Sequence, residues 1–381
     1  MKFLDKIGRE VCYLKSTNTN QRNGEGDFVR LKDGSIMHAY SAYFGSYEED
    51  HSSANICAIY SYDEGETWTE PTLLIKKSED DRNIMCVSFL RMQNGDLGIF
   101  YGRNYKKPND YRDYSDVLFR RSTDEGKTWS DAVKCHNITE DFVCFENGRV
   151  IRTKTGRIIV PINLHSYKKP GRWGYIVGES CFFASDDDGK TFHQIGEFYP
   201  NPIKNCKCGL QENGVIELEN GRLFSYNRTA YGSQFESFSD DDGETWTEPR
   251  PSYTFYSPLA PMNTKHIGDK YTVAVHCPYP GRLDKMFARS PLICNIVKGK
   301  GEDFFEVLLS KFYLEDDLET SCCYPSIFDG GDYFLVAYYY AKGYPDKCYP
   351  FGDMKITKVE FKEFEKIVDE IYEKEYDYLK K

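Results

Sequence analysis

Acidic, basic and aromatic side chains recur at similar distances from glycine-containing turns along this chain of 381 residues. Glu25 and Glu212 each lie nine residues before a turn glycine, and Tyr324 lies near the corresponding place before the last turn. Carboxylates and histidines can transfer protons, and arginines can bind anionic groups. If the turns are equivalent in the fold, these side chains converge on one rim. Similar positions after other turns are occupied by Arg103, His165, Arg228 and His276.

The turns belong to a repeat with six copies, each an alternating strand, a glycine-containing turn and a second apolar strand. The turn glycines are Gly34, Gly95, Gly156, Gly221, Gly268 and Gly331. Two strands at this hairpin and two more further along each unit give four strands per unit. Six such sheets stacked radially predict an all-β, six-bladed β-propeller with the hairpins as inner strands. Function is then expected at one mouth of the central channel.

A second motif, Ser-x-Asp-x-Gly-x-Thr-(Trp/Phe), occurs four times, at 61–68, 122–129, 185–192 and 239–246. Serine and aspartate side chains cap backbone N–H groups in turns, and glycine supplies a positive φ. The threonine hydroxyl can bond back across the turn, and the aromatic ring can pack under the next segment. The motif therefore predicts a hairpin tip on the outer rim. Units five and six lack it.

The two ends of the chain are expected to meet. Met354–Val359 alternates like a strand and is predicted to complete a blade together with Val11–Leu14. Apolar residues at helical spacing then predict an amphipathic terminal helix over 362–380. The predicted organisation is a propeller domain over 1–360 and a C-terminal helix over 361–381. This helix packs on the propeller flank or, as the alternative, makes a contact in a homo-oligomer.

Composition excludes several classes of function. A net charge of −11 argues against nucleic-acid and anionic-membrane partners. No apolar run approaches membrane-spanning length and the N-terminus lacks a signal-peptide pattern, so a cytoplasmic protein is expected. The odd number of cysteines, 13, favours reduced thiols over a disulfide framework. Cys206-x-Cys208 and Cys322-Cys323 lack a matching second pair at zinc-site spacing, so no metal or other cofactor is expected.

With these motifs in place, the chain resembles the sialidase-like family of Asp-box, or BNR-repeat, proteins over about residues 20–357. The stretch from Gln211 to Arg228 is similar to the part of sialidases that carries the catalytic glutamate, here Glu212, and then one arginine of a carboxylate clamp. Asp50 resembles the sialidase acid, Tyr324 the nucleophilic tyrosine and Arg289 the last clamp arginine. The resemblance implies an exo-acting glycoside hydrolase that retains anomeric configuration and acts on a terminal, acidic sugar.

One difference from the family concerns the first blade. Sialidases begin it with an arginine in an Arg-Ile-Pro motif, whereas the matching place here contains Glu25. The three-arginine clamp is therefore expected to be incomplete, which puts sialic acid itself in doubt. Glu25 is expected to bind a hydroxyl or amine of a different sugar, or Arg103 or Arg282 to supply the missing charge.

Two other functions remain open on the same fold. In a uronate lyase, His165 or His276 would act with a channel tyrosine to abstract a proton beside a carboxylate neutralised by arginine. A non-catalytic sugar-binding propeller would bind without turnover. All three readings share a carbohydrate partner.

Overall fold

The structure is a computed structural model that describes residues 3–44, 50, 52–110, 112–170, 176–204, 206, 208–278, 289–300, 310–342 and 352–379. Two short strands open the chain, β1 (Phe3–Lys6) and β2 (Arg9–Leu14). Six mainly antiparallel sheets follow and form the six-bladed propeller that the repeat predicts. We number them as blades I to VI.

Blades I to III carry the first half of the ring. Blade I contains β3 (Arg22–Arg30), β4 (Ile36–Phe44), β5 (Ser53–Ser61) and β6 (Thr72–Ile75). Blade II contains β7 (Asp81–Arg91), β8 (Leu97–Tyr105), β9 (Tyr114–Ser122) and β10 (Val133–Lys134). Blade III contains β11 (Phe142–Cys144), β12 (Ile151–Arg152), β13 (Ile158–Pro170), β14 (Ile176–Ser185) and β15 (His193–Tyr199).

Blades IV to VI complete it. Blade IV contains β16 (Gln211–Glu217), β17 (Leu223–Arg228), β18 (Ser233–Ser239) and β19 (Arg250–Tyr256). Blade V contains β20 (Asn263–Ile267), β21 (Tyr271–His276), β22 (Leu292–Lys298) and β23 (Ser310–Glu315), with β1 added in parallel at its edge. Blade VI contains β24 (Thr320–Asp329), β25 (Tyr333–Lys342), β26 (Asp353–Glu360) and, from the other end of the chain, β2.

The ring closes as the sequence predicts. Strand β2 pairs antiparallel with β26, and the register runs from Arg9 opposite Lys358 to Leu14 opposite Met354. Strand β2, from the N-terminal part of the chain, is thus the outermost strand of the last blade. This pairing fixes blade VI beside blade I, where Tyr324 and Glu25 lie on neighbouring inner strands.

The terminal helix α1 (Phe361–Leu379) begins one residue before the predicted start. Its buried residues Phe361, Phe364 and Val368 join a cluster formed by blades V and VI. The Phe364 ring lies 5.3 Å from that of Tyr271, edge to face. This end of the helix therefore packs on the propeller flank. In the described part of the chain no helix combines the length and apolarity needed to cross a membrane.

The four aspartate turn motifs form hairpin tips with one shared hydrogen-bond pattern. In the first, Asp63 accepts hydrogen bonds from the Ser61 hydroxyl at 2.8 Å, the Thr67 N–H at 2.9 Å and the Thr67 hydroxyl at 2.5 Å. The Gly65 N–H donates to the Ser61 hydroxyl at 2.8 Å. In the fourth, the indole of Trp246 stacks on Phe182 of blade III with ring centroids 4.2 Å apart. These turns lock neighbouring blades together.

Inner strands of four blades are interrupted by a residue with left-handed backbone geometry. These residues are Glu25 (φ 54°), Cys86 (φ 59°), Glu212 (φ 48°) and Tyr324 (φ 52°). Each coincides with a shift in strand register, that is, a β-bulge. Left-handed geometry costs about 1–2 kcal/mol for a residue with a Cβ, and such strain clusters at functional sites. The bulges aim these side chains inward, which strict strand alternation would not do.

Candidate active site

The inner strands surround a cavity of about 310 Å³. Five of the predicted site residues line it: Glu25, Asp50, His165, Glu212 and Tyr324. They come from blades I, III, IV and VI and from the segment that follows β4. Its wall also includes residues that the sequence did not single out, among them Met85, Asn104, Asp113, Phe142, Cys144 and Glu146.

Tyr324 and Glu212, which line the cavity, form a hydrogen-bonded group with the buried Arg228. The Tyr324 hydroxyl donates to Oε1 of Glu212 at 3.0 Å, and Nη1 of Arg228 donates to the Tyr324 hydroxyl at 3.2 Å. Arg228 also forms an ion pair with Glu212, and both side chains are buried. A carboxylate within hydrogen-bond reach of a phenol can accept its proton.

The two acidic groups of this pair have opposite pKa shifts. Burial favours the neutral acid at Glu212, but Arg228, Arg289 and Arg149 outweigh it and hold the pKa of Glu212 below its ordinary value. Burial and the neighbouring Glu212 raise the pKa of Tyr324 well above its ordinary value. At neutral pH the pair is therefore an ionised carboxylate beside a neutral phenol.

Arg22, which the sequence reasoning did not single out, pairs with two carboxylates of the cavity wall, Glu25 and Asp50. Its Nε donates to the Tyr339 hydroxyl at 2.7 Å, and its Nη2 lies 2.5 Å from Oε1 of Glu25. It also forms an ion pair with Asp50. The guanidinium is fully buried and stacks on the rings of Tyr43 and Tyr339, 4.6 and 4.8 Å from their centroids.

Three arginines therefore converge on one side of the Tyr324 strand. Nη1 of Arg289 lies 3.1 Å from Sγ of Cys323, and its guanidinium lies 5.6 Å from the centre of the Tyr324 ring. Burial raises the pKa of the Cys323 thiol to about 11, and the guanidinium charges of Arg289, Arg22 and Arg228 oppose that rise. Arg22 is therefore a third arginine near this strand, which the comparison of first-blade motifs did not reveal.

Arg103 lies outside this group. It forms ion pairs with Asp81 and Asp116 and stacks on Tyr105 at 4.7 Å. Its neighbours Gly102 and Asn104 line the cavity, and alternation along β8 turns Arg103 to the opposite face. Arg103, which was expected to contribute to the site, is therefore not in the cavity wall. Arg282 lies outside the described residues.

Asp50 and Glu25 are carboxyl groups attached to the Arg22 side of the cavity. The side chain of Asp50 is about half exposed, 51%. Glu25 is buried and also accepts a hydrogen bond from the Tyr43 hydroxyl at 3.0 Å. Burial raises the pKa of Glu25, although Arg22 opposes that rise. Asp50 thus faces the solvent side of the cavity, while Glu25 lies in its interior.

The two candidate histidines have different surroundings. His165 lines the cavity, and its Nε2 is buried with no hydrogen-bond partner among the described residues. Burial lowers the pKa of His165 to about 4, so its imidazole is neutral at pH 7. His276 is buried beside Phe255, with its Nε2 2.8 Å from the Asn295 amide, and is not among the residues that line the cavity.

Glu146 is a third buried glutamate in the cavity wall that the sequence reasoning missed. It lies in Glu146-Asn147-Gly148, the same tripeptide as Glu212-Asn213-Gly214, ten residues before Gly156. The repeated Glu-Asn-Gly tripeptide was the signal that could have found it. Its blade equivalents are Glu25 and Glu212, so three inner-strand glutamates converge.

The cysteines of the described residues form neither disulfides nor part of a metal-binding group. The twelve cysteines in the described part of the chain are free thiols. Among the same residues, no group of three or more histidine, cysteine, aspartate or glutamate side chains is arranged to hold a metal ion.

The fold and the sequence place the chain in a known class. A family model of the BNR repeat-like domain matches residues 15–336, so the chain belongs to the BNR-repeat family. Its six-bladed propeller matches sialidase folds. The leech intramolecular trans-sialidase, solved with 2,7-anhydro-Neu5Ac, matches with a TM-score of 0.69 at 15% identity. That match covers 93% of this chain and 70% of the leech chain.

Two curated relatives are sialidases. The chain is 27% identical over 207 residues to a sialidase of Clostridium perfringens. This match covers 47% of this chain and 52% of that protein. The chain is 26% identical over 240 residues to a sialidase of Paraclostridium sordellii, with coverage of 57% and 55%. The chain spans about half the length of these relatives. The resemblance read from the sequence motifs is thereby confirmed at the level of the family.

Proposed function

We propose that the chain is a sialidase-type exo-glycoside hydrolase that cleaves a terminal acidic sugar through a tyrosine nucleophile. The observation that carries the proposal is the contact between the Tyr324 hydroxyl and Glu212, 3.0 Å apart in the cavity wall, with Arg228 and Arg289 beside Tyr324. The distant relationship to sialidases supports the same class of reaction.

A carboxylate-bearing anomeric carbon repels an ionised nucleophile, and a neutral phenol avoids that repulsion. In the first step the Tyr324 oxygen forms a bond to the anomeric carbon while its proton passes to Glu212. The bond to the leaving oxygen breaks, and Asp50 protonates that oxygen. In the second step water attacks the anomeric carbon and Asp50 takes its proton. The bond between that carbon and the Tyr324 oxygen breaks, and Glu212 returns the proton to the Tyr324 oxygen. Two displacements retain the configuration.

The sugar carboxylate would be bound by Arg22, Arg228 and Arg289. Guanidinium groups bind carboxylates through paired hydrogen bonds, and burial strengthens that attraction. In the absence of substrate Arg228 pairs with Glu212, and Arg22 pairs with Glu25 and Asp50. Binding an acidic sugar would redistribute these contacts. An acidic sugar is thus favoured, even though Glu25 occupies the place where sialidases have an arginine at the start of the first blade.

The test is an assay of the purified chain on an aryl sialoside, with the variants Tyr324→Phe and Glu212→Gln. Tyr324→Phe should abolish turnover, and Glu212→Gln should lower kcat by about 10²–10⁴-fold, the usual contribution of a positioned base. Tyr338→Phe is a matched control, because Tyr338 is a buried tyrosine of the same blade whose hydroxyl contacts Thr357 at 3.0 Å. Full activity of both site variants would refute the assigned roles.

Product analysis by nuclear magnetic resonance separates related outcomes. Release of the sugar with retained configuration supports hydrolysis through a covalent intermediate. An anhydro sugar would instead indicate intramolecular transfer, as the name of the leech relative describes for that protein.

A uronate lyase is the second candidate, and His165 is the observation in its favour. Its neutral imidazole, with an unpartnered Nε2 in the cavity, is in the state required of a base. The lyase predicts an unsaturated, ultraviolet-absorbing product from uronate disaccharides and its loss in His165→Gln. Absence of such a product rejects the lyase and leaves the hydrolase proposal unaffected.

A further inference from the structure

Glu146 lies where the inner strand of blade III is interrupted. Strand β11 pairs with residues 163–165 and strand β12 with residues 158–159, and Glu146 belongs to the segment between them. The side chain lines the same cavity as Glu212 and Tyr324 and is only 5% exposed. The reaction proposed above assigns it no part.

The immediate contacts of the Glu146 carboxyl are weak. The Cys86 thiol lies 3.8 Å from its Oε2 and the Cys144 thiol 3.9 Å from its Oε1. The nearby Arg149 donates to the backbone oxygens of Glu212 and Met262. An ionised carboxylate would be poorly stabilised in such surroundings.

The charged groups around Glu146 also disfavour its ionised form. Burial, Glu212 and Glu25 raise the pKa of Glu146 well above its ordinary value, while Arg149 and Arg228 oppose the rise. Groups that titrate or carry charge face it from blades I, II, III, IV and VI. They are Glu25, Asp50, Cys86, Asp113, Cys144, Arg149, His165, Glu212, Arg228 and Tyr324.

We propose that Glu146 binds the substrate as a neutral carboxylic acid that donates its proton in a hydrogen bond to an oxygen of the sugar. Ionised Glu212 can only accept hydrogen bonds, so it suits sugar hydroxyls. A ring, carbonyl or carboxylate oxygen has no proton to give and needs a donor. Glu146 supplies that donor on the wall formed by β11 and the segment after it. This assignment rests on the proposed function and adds a substrate-binding residue to it.

The kinetic test compares Glu146→Gln with Glu146→Ala across a range of pH. The glutamine keeps a donor of the same shape, so Glu146→Gln should retain at least tenfold more kcat/KM than Glu146→Ala. The wild type should lose kcat/KM on the alkaline side as Glu146 loses its proton, and Glu146→Gln should lack that decline. Equal impairment of the two variants, or an unchanged alkaline decline in Glu146→Gln, would overturn the proposal.

Glu236→Gln is the matched control. Glu236 is a buried glutamate on β18, pairs with Arg250 and lies outside the cavity-lining residues. Burial also raises the pKa of Glu236. Its substitution should leave the alkaline decline in place. If Glu236→Gln removes the decline as well, the decline reports stability and the proposal fails.

Infrared difference spectroscopy gives a readout that needs no turnover. At neutral pH the spectrum of Tyr324→Phe minus that of the double variant with Glu146→Gln should contain the carbonyl stretch of a protonated carboxylic acid, which belongs to Glu146. Adding sialic acid should shift that band to lower frequency. No band or no shift refutes the role of Glu146. A shifting band with no turnover by the wild type refutes the hydrolase proposal instead.

Discussion

Glu212 and Glu146 are both buried glutamates in one cavity, and their environments move their pKa values in opposite directions. Arg228 contacts Glu212 directly and keeps it ionised, whereas thiols contact Glu146 and its acidic neighbours favour the protonated form. Such separation lets two identical side chains act as acceptor and donor at the same pH. At the residue scale, the protonation of each glutamate is therefore set by its neighbours rather than by its residue type.

Five of the residues that the sequence singled out line the cavity. Glu25, Glu212, Tyr324 and His165 came from their distances to turn glycines, and Asp50 from the family resemblance. Sequence reasoning missed Arg22, which lies three residues before Glu25, because the β-bulge at Glu25 changes the register between strand and turn. It misplaced Arg103 because an offset along the chain does not reveal which face of a strand a residue occupies.

Arg22 and Arg103 give a matched pair for testing the arginine group. Arg22→Lys should lower kcat/KM on an acidic sugar by about 10²-fold, since a lysine cannot reproduce the paired hydrogen bonds of a buried guanidinium. Arg103→Lys should have little effect, because Arg103 faces away from the cavity. Steady-state kinetics and circular dichroism of both variants provide the measurement. Equal losses in the two would show that Arg22 makes no special contribution.

At the scale of elements, the aspartate turns and the inner-strand bulges use the same backbone geometry for different ends. The turns place left-handed residues such as Gly243 (φ 90°) at the rim, where Gly243 lies against the preceding blade. The bulges place Glu25, Glu212 and Tyr324 at the channel. A recurring sequence motif encodes the turns, so they could be predicted from the sequence. The bulges have no common sequence, and only the structure reveals them.

Gly243 and Gly34 test how much the packing of a turn adds to its backbone strain. Both have a positive φ, and an alanine at either costs about 1–2 kcal/mol for that reason. A Cβ at Gly243 would also lie 2.8 Å from the buried Ile195, whereas one at Gly34 meets nothing within 4 Å. Gly243→Ala should therefore lower the free energy of unfolding by about 2–5 kcal/mol, and Gly34→Ala by about 1–2 kcal/mol. Urea denaturation of both variants checks this, and equal losses would contradict it.

At the scale of the whole molecule, radial stacking buries polar as well as apolar side chains between blades. Near the axis, the Asn147 amide donates to the Gly26 carbonyl at 3.0 Å and the Asn263 amide to the Pro325 carbonyl at 2.9 Å. Histidines are buried in the same way. Burial lowers the pKa of His38, His136 and His276 to about 3 and that of His165 to about 4.

These histidines make the fold sensitive to mild acid. A histidine in the unfolded chain has a pKa near 6.5, whereas these buried histidines have pKa values of about 3–4 in the native state. Between pH 6.5 and about pH 4 the unfolded state therefore binds more protons than the native state. The free energy of unfolding should fall as pH is lowered from 7 to 5, with each histidine contributing up to about 1.4 kcal/mol per pH unit. His276→Gln should reduce this slope. The half-exposed His193 provides the control variant His193→Gln, and identical slopes in both would contradict the prediction.

Closure of the ring through β2 and β26 links the two ends of the polypeptide to the chemistry at its centre. The hydrogen bond from Arg22 to Tyr339 joins residues 317 positions apart. A nascent polypeptide that has left the ribosome only as far as blade V carries Glu212 and Arg228 but has neither Tyr324 nor the partner that orients Arg22. Synthesis must therefore extend through blade VI before Tyr324, Glu212 and Arg228 can come together, and a chain that stops at blade V lacks this group.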